Sequence, residues 1–304
     1  MELTPARPPS PRNPGPSWGL GFLRRADALL PRPVFDFLLG AGTAAAVAAM
    51  PAARRHSRAY LAAALGRPPR CSDLWRHFHA FARTTMTALR VSGGAPYRCR
   101  DAPGNGDFHA LAASGRPALY GTFHLGESDL LGFALARFRQ RVCMIRLRME
   151  NSPELEDLAR QFGGGVSFLW VNEPAELLFA LKEAVQSGAS IALKCDRLGH
   201  ASRTEAFDFL GGRRLFPFTI YHLAVIFRLP VMLSASIGAG PGEARVHCSP
   251  LFEPGGGARA EELARARAHF QGFLGLVEGL LRNDPYLWFN FGPLNPLAAA
   301  APRP

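Results

Sequence analysis

Residues 117–138 read PALYGTFHLGESDLLGFALARF, and this stretch decides how the chain folds. Its first half, PALYGTF (117–123), is a short apolar run of the kind that forms a buried strand. Its second half, ESDLLGFALARF (127–138), places apolar residues at helical spacing. The stretch therefore predicts a strand that ends in a polar turn and leads into a helix, which is the repeating unit of an α/β sheet.

The same alternation continues on the carboxyl-terminal side of this stretch. Further strands are predicted at 141–147, 165–171, 189–195, 230–237 and 243–249, and further helices at 153–162, 174–186, 218–227 and 258–282. The segment 218–227 also has the aromatic and β-branched content of a strand. We expect an α/β fold with a mixed, largely parallel central sheet flanked by helices.

The amino-terminal third has a different composition. Residues 1–100 hold fifteen arginines, no lysine and four acids, so they carry the whole net charge of +11. We expect a disordered tail at 1–17, a helical, basic, membrane-associating region at 18–100, an α/β core at 101–296 and a second disordered tail at 297–304. A basic surface of this kind suits an anionic membrane or a nucleic acid.

The most apolar early segment is VFDFLLGAGTAAAVAAM (34–50), which contains Asp36. Its length is at the short limit for spanning a bilayer, so a buried core helix and a membrane-seated helix both fit it. No cleavable signal peptide is evident. The five cysteines are scattered without CxxC spacing, which indicates reduced thiols in the cytoplasm, and no metal motif or cofactor is expected.

His124 and Asp129 lie five residues apart in the polar turn of the opening stretch. A neutral imidazole can take a proton from a hydroxyl, and a carboxylate bonded to its other nitrogen fixes the tautomer. His200 and Glu205 share this spacing but lie in a polar loop, whereas His124 follows a strand, where open α/β sheets bind ligands. The alternative is a helix-capping turn in which Glu127 and Asp129 complement the helix dipole.

No serine nucleophile accompanies the histidine. The GxSxG motif is absent, and Ser128 lies in the turn without a supporting strand–turn–helix elbow. A base that works without a covalent intermediate fits direct attack of a substrate hydroxyl or amine on an activated acyl group.

Four blocks of sequence occur in a recognisable order. They are GTFHLGESD (121–129), MIRLRMENSPELEDL (144–158), KCDRLGHASRTEAFDFLGGRRLFPFTIYHLAVIFRLPVML (194–233) and DPYLWFNFGPLNP (284–296). Together they resemble the lysophospholipid acyltransferase superfamily, specifically its lipid A biosynthesis acyltransferase-like branch, which includes enzymes of aryl-polyene and pigment pathways. The resemblance covers about 18–296. Two departures are Gly126-Glu127, where many members have an asparagine, and Ile145-Arg146-Leu147, where Tyr-Arg-Pro is common.

The resemblance implies that His124 is the general base acting on the acceptor and that Asp129 orients it. Because residues five apart do not stack on a regular helix, this pairing requires a turn that folds Asp129 back to His124. Donors to the oxyanion would come from backbone N–H groups near Gly126 or from an arginine.

The resemblance also implies residues that bind substrate. Arg146 and Arg148 would bind a phosphate, or they are exposed strand-end charges. Asp196 and Arg197 would form a buried pair that shapes the site, or an ordinary loop salt bridge. The expected substrate-binding set is Arg146, Arg148, Asp196, Arg197, Gly126 and Glu127.

The predicted function is transfer of a fatty or polyene acyl group from a thioester of acyl carrier protein or coenzyme A to a hydroxyl or amine of a lipid-like acceptor. A hydrolase using the same pair on water and a non-catalytic membrane-surface protein are the alternatives. A nucleic-acid partner is not expected, because no lysine precedes residue 182 and no such module appears. The expected location is the cytoplasmic face of the bacterial inner membrane, peripheral or with one short amino-terminal membrane helix.

Overall fold

A layer of four helices precedes a mixed, mostly parallel sheet of seven strands in the described part of the chain. The computed structural model describes residues 18–136, 138, 140–147, 165–171, 174–199 and 201–295. The predicted tails at 1–17 and 297–304, the predicted helix at 153–162, His200 and Arg148 lie outside the described residues. The expected α/β fold is confirmed.

The helical layer consists of α1 (Gly19–Leu29), α2 (Arg32–Ala49), α3 (Pro51–Leu65) and α4 (Cys71–Ser92). Proline opens α3 and stands in the first turn of α2, where its missing N–H costs little. The segment predicted at 34–50 lies in α2, which buries only Phe35, Leu39 and Thr43. Among the described residues no single helix is long and apolar enough to cross a bilayer; α2 and α3 pass that test together, but they are bent by 97° at their junction.

The strands are β1 (Arg98–Asp101), β2 (Leu119–Gly126), β3 (Val142–Arg146), β4 (Val166–Trp170), β5 (Ser190–Lys194), β6 (Thr204–Phe209), β7 (Gly212–Pro217), β8 (Val231–Gly240) and β9 (Glu243–Cys248). The sheet has the order β1-β9-β8-β2-β5-β3-β4, while β6 and β7 form a separate hairpin. Only β8 and β9 pair antiparallel among the described strand pairs of the sheet. The chain thus places β3 to β5 on one side of β2 and β8 on the other, and ligands bind where such an order reverses.

Helices cover both faces of the sheet. They are α5 (Gly106–Ser114), α6 (Gly132–Ala136), α7 (Pro174–Gln186), α8 (Thr219–Phe227) and α9 (Arg259–Asn283). Phe123 and Leu125 of β2 join the main core, which includes aromatic residues of α8, α9 and the hairpin. Tyr120 points to a smaller core with Phe108 of α5 and Ala134 of α6. Alternate residues of β2 therefore face different layers, as the pleat of a strand requires.

The helix predicted at 127–138 is broken in the structure. A single turn of 3-10 helix, Ser128–Leu130, is followed by the short helix α6. Gly126 precedes the turn with a φ of 52°, a conformation that favours glycine, and Gly132 weakens continuation of a helix. The segment 218–227, for which a strand was an alternative, is helical in α8.

Candidate active site

His124 lies near the carboxyl end of β2, in the middle of the sheet. It shares the sheet face of Tyr120 and Thr122, because side chains two residues apart in a strand point the same way. Its side chain keeps 27% of its surface exposed, so the imidazole is supported by the protein and still open on one side.

The imidazole of His124 is hydrogen-bonded to Asp196. The distance from Nδ1 to Oδ1 is 2.7 Å, and the Asp196 side chain is completely buried. Sheet register explains the encounter: Thr122 of β2 lies beside Lys194 of β5, and two further residues along each parallel strand bring His124 and Asp196 together. The expectation that Asp129 folds back to His124 is therefore corrected, since another carboxylate holds Nδ1.

Asp196 receives two more hydrogen bonds on its second carboxylate oxygen. The backbone N–H of His124 donates to Oδ2 at 2.9 Å, and the indole N–H of Trp288 donates at 2.8 Å. Burial favours a neutral acid, but the nearby His124 ring and these donors outweigh it and hold the pKa of Asp196 below its usual range. Asp196 is therefore an ionised hydrogen-bond acceptor.

This arrangement fixes the tautomer of His124. An ionised carboxylate only accepts, so Nδ1 carries the hydrogen and the lone pair lies on Nε2. No described residue forms a hydrogen bond with Nε2. Burial lowers the pKa of His124 below 6.5, while Asp196 opposes the change. At neutral pH the ring is thus an oriented, unprotonated base.

Asp129 belongs to a neighbouring cluster at the end of β3 and β5. Its Oδ1 accepts from Arg146 at 2.7 Å and lies 3.2 Å from Nζ of Lys194. Partial desolvation would raise the pKa of Asp129, but Lys194 and Arg146 together lower it well below its usual range. Lys194 also donates to Oγ of Ser128 at 2.5 Å. We call Ser128, Asp129, Arg146 and Lys194 the polar cluster.

The polar cluster stands at one end of an apolar cleft between the sheet and α6. The cleft is open, and the atom-free space of about 650 Å³ at this place includes solvent in front of it. Its apolar lining includes Phe108, Tyr120, Leu131, Ala134, Leu135 and Met144. Thr122 also lines the cleft and points from the same sheet face as His124, so the base lies just beyond one end of the cleft.

Gly126 and Glu127 support the turn after His124. The N–H of Gly126 donates to the carbonyl of Leu287 at 2.9 Å, and the N–H of Glu127 donates to that of Ser236 at 2.8 Å. These two N–H groups are occupied, which differs from the expectation that donors near Gly126 serve the oxyanion. The carboxyl of Glu127 is buried and accepts from Tyr97 at 2.7 Å, and burial raises its pKa. A substrate contact of either residue stays a prediction.

Arg197 does not bond to the adjacent Asp196. Its Nη2 donates to the carbonyl of Phe289 at 2.8 Å, so the expected pairing of these neighbours is replaced by two separate contacts. Both oxygens of Asp196 accept hydrogen bonds from other donors. Arg197 still lies close enough to help lower the pKa of Asp196.

The segment 286–295 completes the site. Trp288 is fully buried, as a core residue would be, yet its indole also holds Asp196. Asn295 donates to the main-chain carbonyl of Asp196 at 3.0 Å. Lys194 was missed by sequence reasoning, although its position two residues before Asp196 on a strand signals the same sheet face.

No group of three or more His, Cys, Asp or Glu side chains suited to a metal ion occurs among the described residues. The ionisable groups that meet here are the imidazole of His124, the carboxylates of Asp129 and Asp196, the amine of Lys194 and the guanidinium of Arg146. This set can move a proton at Nε2 and can bind an anion beside an apolar cleft.

Comparison with known proteins finds one structural likeness to report. No protein-family model and no curated protein matches the chain. Among solved structures, the chain is similar to the crystal structure of the 1-acyl-sn-glycerophosphate (LPA) acyltransferase PlsC from Thermotoga maritima, with 15% identity and a TM-score of 0.41. The similarity covers 82% of this chain and 98% of that chain. A likeness of this degree says nothing about chemistry, so function has to be inferred from the site's residues.

Proposed function

We propose that this protein is an acyltransferase that moves a fatty or polyene acyl group from a thioester to a hydroxyl or amine of a lipid-like acceptor. The observation that carries the proposal is the His124–Asp196 pair, which leaves Nε2 as the basic nitrogen of the imidazole. His124 follows Thr122, a residue of the apolar cleft, on the same face of β2. A base with no described serine, threonine or cysteine bonded to Nε2 suits direct attack by the acceptor.

In this reaction Nε2 of His124 removes the proton from the acceptor as the acceptor oxygen or nitrogen attacks the thioester carbonyl. Asp196 stabilises the imidazolium that forms and keeps the ring in place. The tetrahedral intermediate then expels the thiolate, which takes the proton back from Nε2. The positive charges of Lys194 and Arg197, which act on His124, favour the negative oxygen of the intermediate.

The cleft and the polar cluster supply the binding chemistry. The apolar lining suits an acyl chain, because burying each methylene contributes about 0.8 kcal/mol. Arg146 suits a phosphate at the mouth, since its guanidinium offers paired donors, and Lys194 adds a second charge. Acyl carrier protein and coenzyme A both deliver acyl groups as thioesters, and either fits this reaction.

The helical layer suits contact with an anionic membrane at the cytoplasmic face of the inner membrane. Large apolar side chains stand exposed on α1 and α2, with Leu29 at 81% and Phe37 at 74%. Arg25 and Arg32 are exposed on the same helices. Apolar insertion combined with arginines beside it is the pattern of a peripheral membrane surface. Such a position gives a soluble donor and a membrane acceptor access to one site.

The test is acyl transfer from labelled acyl-carrier-protein and acyl-coenzyme A donors to lipid acceptors in vesicles. We expect His124→Ala to lower the transfer rate about 10² to 10⁴-fold. His109→Ala is the matched control, because His109 also contacts an aspartate, Asp101 at 2.9 Å, but on the surface of α5. It should leave the rate unchanged.

Two outcomes would overturn the proposal. Undiminished transfer by His124→Ala removes His124 as the base. Release of free acid by the wild-type protein, with no acylated lipid, assigns the same pair to a hydrolase acting on water. The membrane contact has its own test: replacing the exposed Leu29 and Phe37 by glutamate should weaken binding to anionic vesicles, and undiminished binding would contradict the contact of α1 and α2.

A further inference from the structure

A second buried histidine lies behind the site. His77 of α4 is fully buried, and its two ring nitrogens contact Oγ of Ser57 in α3 at 2.7 Å and the main-chain carbonyl of Trp288 at 2.9 Å. It therefore joins two helices of the amino-terminal layer to the segment that carries the indole partner of Asp196.

The hydrogen-bond partners allow one arrangement of protons on neutral His77. The carbonyl of Trp288 can only accept, so Nε2 carries the hydrogen and Nδ1 accepts the hydroxyl proton of Ser57. Burial lowers the pKa of His77 to about 4, so the ring is neutral at physiological pH.

The peptide group between Trp288 and Phe289 joins His77 to His124. Its carbonyl accepts from His77, and also from the N–H of Asn290 at 2.9 Å. Its N–H donates to the main-chain carbonyl of His124 at 2.8 Å. A trans peptide is planar, and its C=O and N–H point in opposite directions. His77 and the backbone of His124 therefore form hydrogen bonds to the same rigid peptide group from opposite sides.

Aromatic packing holds this unit in place. His77 stacks on Phe291 with ring centres 4.7 Å apart, and Tyr60 of α3 meets the Trp288 ring edge-to-face at 5.1 Å. Tyr60 also donates to the carbonyl of Pro285 at 2.7 Å. The indole that donates to Asp196 is thus positioned from behind by α3 and α4.

We propose that His77 is a positioning residue, which holds the 288–289 peptide so that Trp288 keeps Asp196, and through it His124, in the geometry of a base. This inference rests on the proposed function only where the reaction rate is used. The helical layer is then part of the machinery that orients the base, in addition to any contact with a membrane.

The ionisation of His124 reports on this geometry. The charged groups that act on His124 or respond to it are Asp196, Lys194, Arg197 and Asp129. Losing the indole donor leaves the Asp196 carboxylate more basic, so His124 should hold its proton to higher pH. Removing His77 should produce the same change to a smaller extent, because the indole remains but is less well placed.

The experiment is NMR titration of ¹⁵N-labelled histidines in the full chain, with His124 assigned by the signal that His124→Ala removes. We expect Trp288→Phe to raise the titration midpoint of His124 by roughly half a unit to one unit. His77→Leu should raise it less, and His77→Gln, which can still donate to the Trp288 carbonyl, should restore it. His79→Leu is the matched control on the same helix, because His79 contacts a hydroxyl, that of Thr43, outside the site.

Kinetics separate positioning from binding. His77→Leu should lower kcat roughly tenfold with KM for the donor unchanged, because one lost hydrogen bond is worth about that factor. If His77→Leu does not fold, Ser57→Ala and Trp288→Phe test the same connection. A His124 midpoint that stays unchanged in the folded variants contradicts the proposal, whatever happens to thermal stability. The titration uses no substrate, so this failure is distinct from an absence of acyl transfer.

Discussion

The two aspartates near His124 occupy opposite kinds of environment. Asp196 is completely buried, accepts three hydrogen bonds and contacts the imidazole. Asp129 keeps 48% of its side chain exposed and contacts the cations Arg146 and Lys194. The environment of Asp196 fixes the tautomer of His124, whereas that of Asp129 balances charge at the mouth of the cleft.

This difference shows that proximity in sequence does not select the hydrogen-bond partner of a side chain. Asp129 lies five residues from His124, whereas Asp196 lies 72 residues away on the neighbouring strand. Parallel pairing of β2 with β5 brings the second acid to the imidazole. Asp129 instead lies at the ends of β3 and β5, where it contacts Arg146 and Lys194.

The largest expected effect compares amide replacements of the two acids. In Asp196→Asn the amide oxygen must face the N–H groups of His124 and Trp288, so its NH₂ faces Nδ1 and forces the wrong tautomer. We expect kcat for acyl transfer to fall about 10³ to 10⁴-fold. Asp129→Asn should lower it less than about tenfold, because an exposed ion pair contributes about 1 kcal/mol or less. Equal losses of kcat in the two variants would contradict the different roles assigned to Asp196 and Asp129.

The next effect concerns the cations of the polar cluster. Arg146→Gln should raise KM for a phosphate-bearing substrate about 10 to 100-fold with little change in kcat, because a hydrogen bond to a charged group contributes about 1.5–3 kcal/mol. Steady-state kinetics with phosphate-bearing and neutral acceptors measure it. Arg116→Gln is the control, since Arg116 pairs with Glu253 on the surface. An equal rise for neutral acceptors would show that Arg146 does not bind phosphate.

A smaller effect tests the turn at Gly126, which lies between His124 and Asp129. An alanine Cβ at Gly126 would lie 2.2 Å from the carbonyl oxygen of Ser236, and φ there is 52°. Gly126→Ala should lower the free energy of unfolding by about 1–3 kcal/mol, measured by urea denaturation. Gly66→Ala has a similar φ of 63° with open space around it, so it isolates the backbone term and should cost less. Equal losses of unfolding free energy in the two variants would show that the contact with Ser236 adds nothing.

The smallest effect is the pH dependence of transfer. The proposed reaction needs unprotonated His124, whose pKa is lowered below 6.5 by burial. The rate should therefore be constant at neutral pH and fall about tenfold per unit once the pH drops below that pKa. In a profile of kcat/KM against pH, Asp129→Asn should move this acid limb to lower pH, but by less than Asp196→Asn does. An acid limb with its midpoint above pH 6.5 would contradict the assignment of the buried His124 as the base.

Much of the fold follows from short-range pattern. Six strands, the helix at 174–186 and the long helix at 258–282 were predicted correctly, because one period of apolar residues fits each. Strand β1 and the hairpin of β6 and β7 were not predicted. The backbone geometry of the turn at Gly126 was not predictable, because it depends on a hydrogen bond from the Glu127 N–H to the carbonyl of Ser236 in β8. Pattern carries no information about such distant neighbours.

The site was predictable in part for the same reason. His124 stands where a strand ends, and this position can be read from the sequence. The partner of its Nδ1 depends on which strand lies beside β2, and a local motif cannot supply that. The role of Trp288 was hidden as well, because a buried indole in the core and one that donates to a carboxylate look the same in sequence.

The most direct test of the account is the titration of His124 in Asp196→Asn and Asp129→Asn, followed by ¹⁵N NMR of labelled histidines. The Asp196 carboxylate raises the pKa of His124, so Asp196→Asn should lower the midpoint by roughly a unit or more and move the ring hydrogen from Nδ1 to Nε2. Asp129→Asn should lower the midpoint less, because Asp129 acts on His124 only through space, and it should leave the tautomer unchanged. A shift in Asp129→Asn with none in Asp196→Asn would contradict the account, because it would make Asp129 the residue that holds the base.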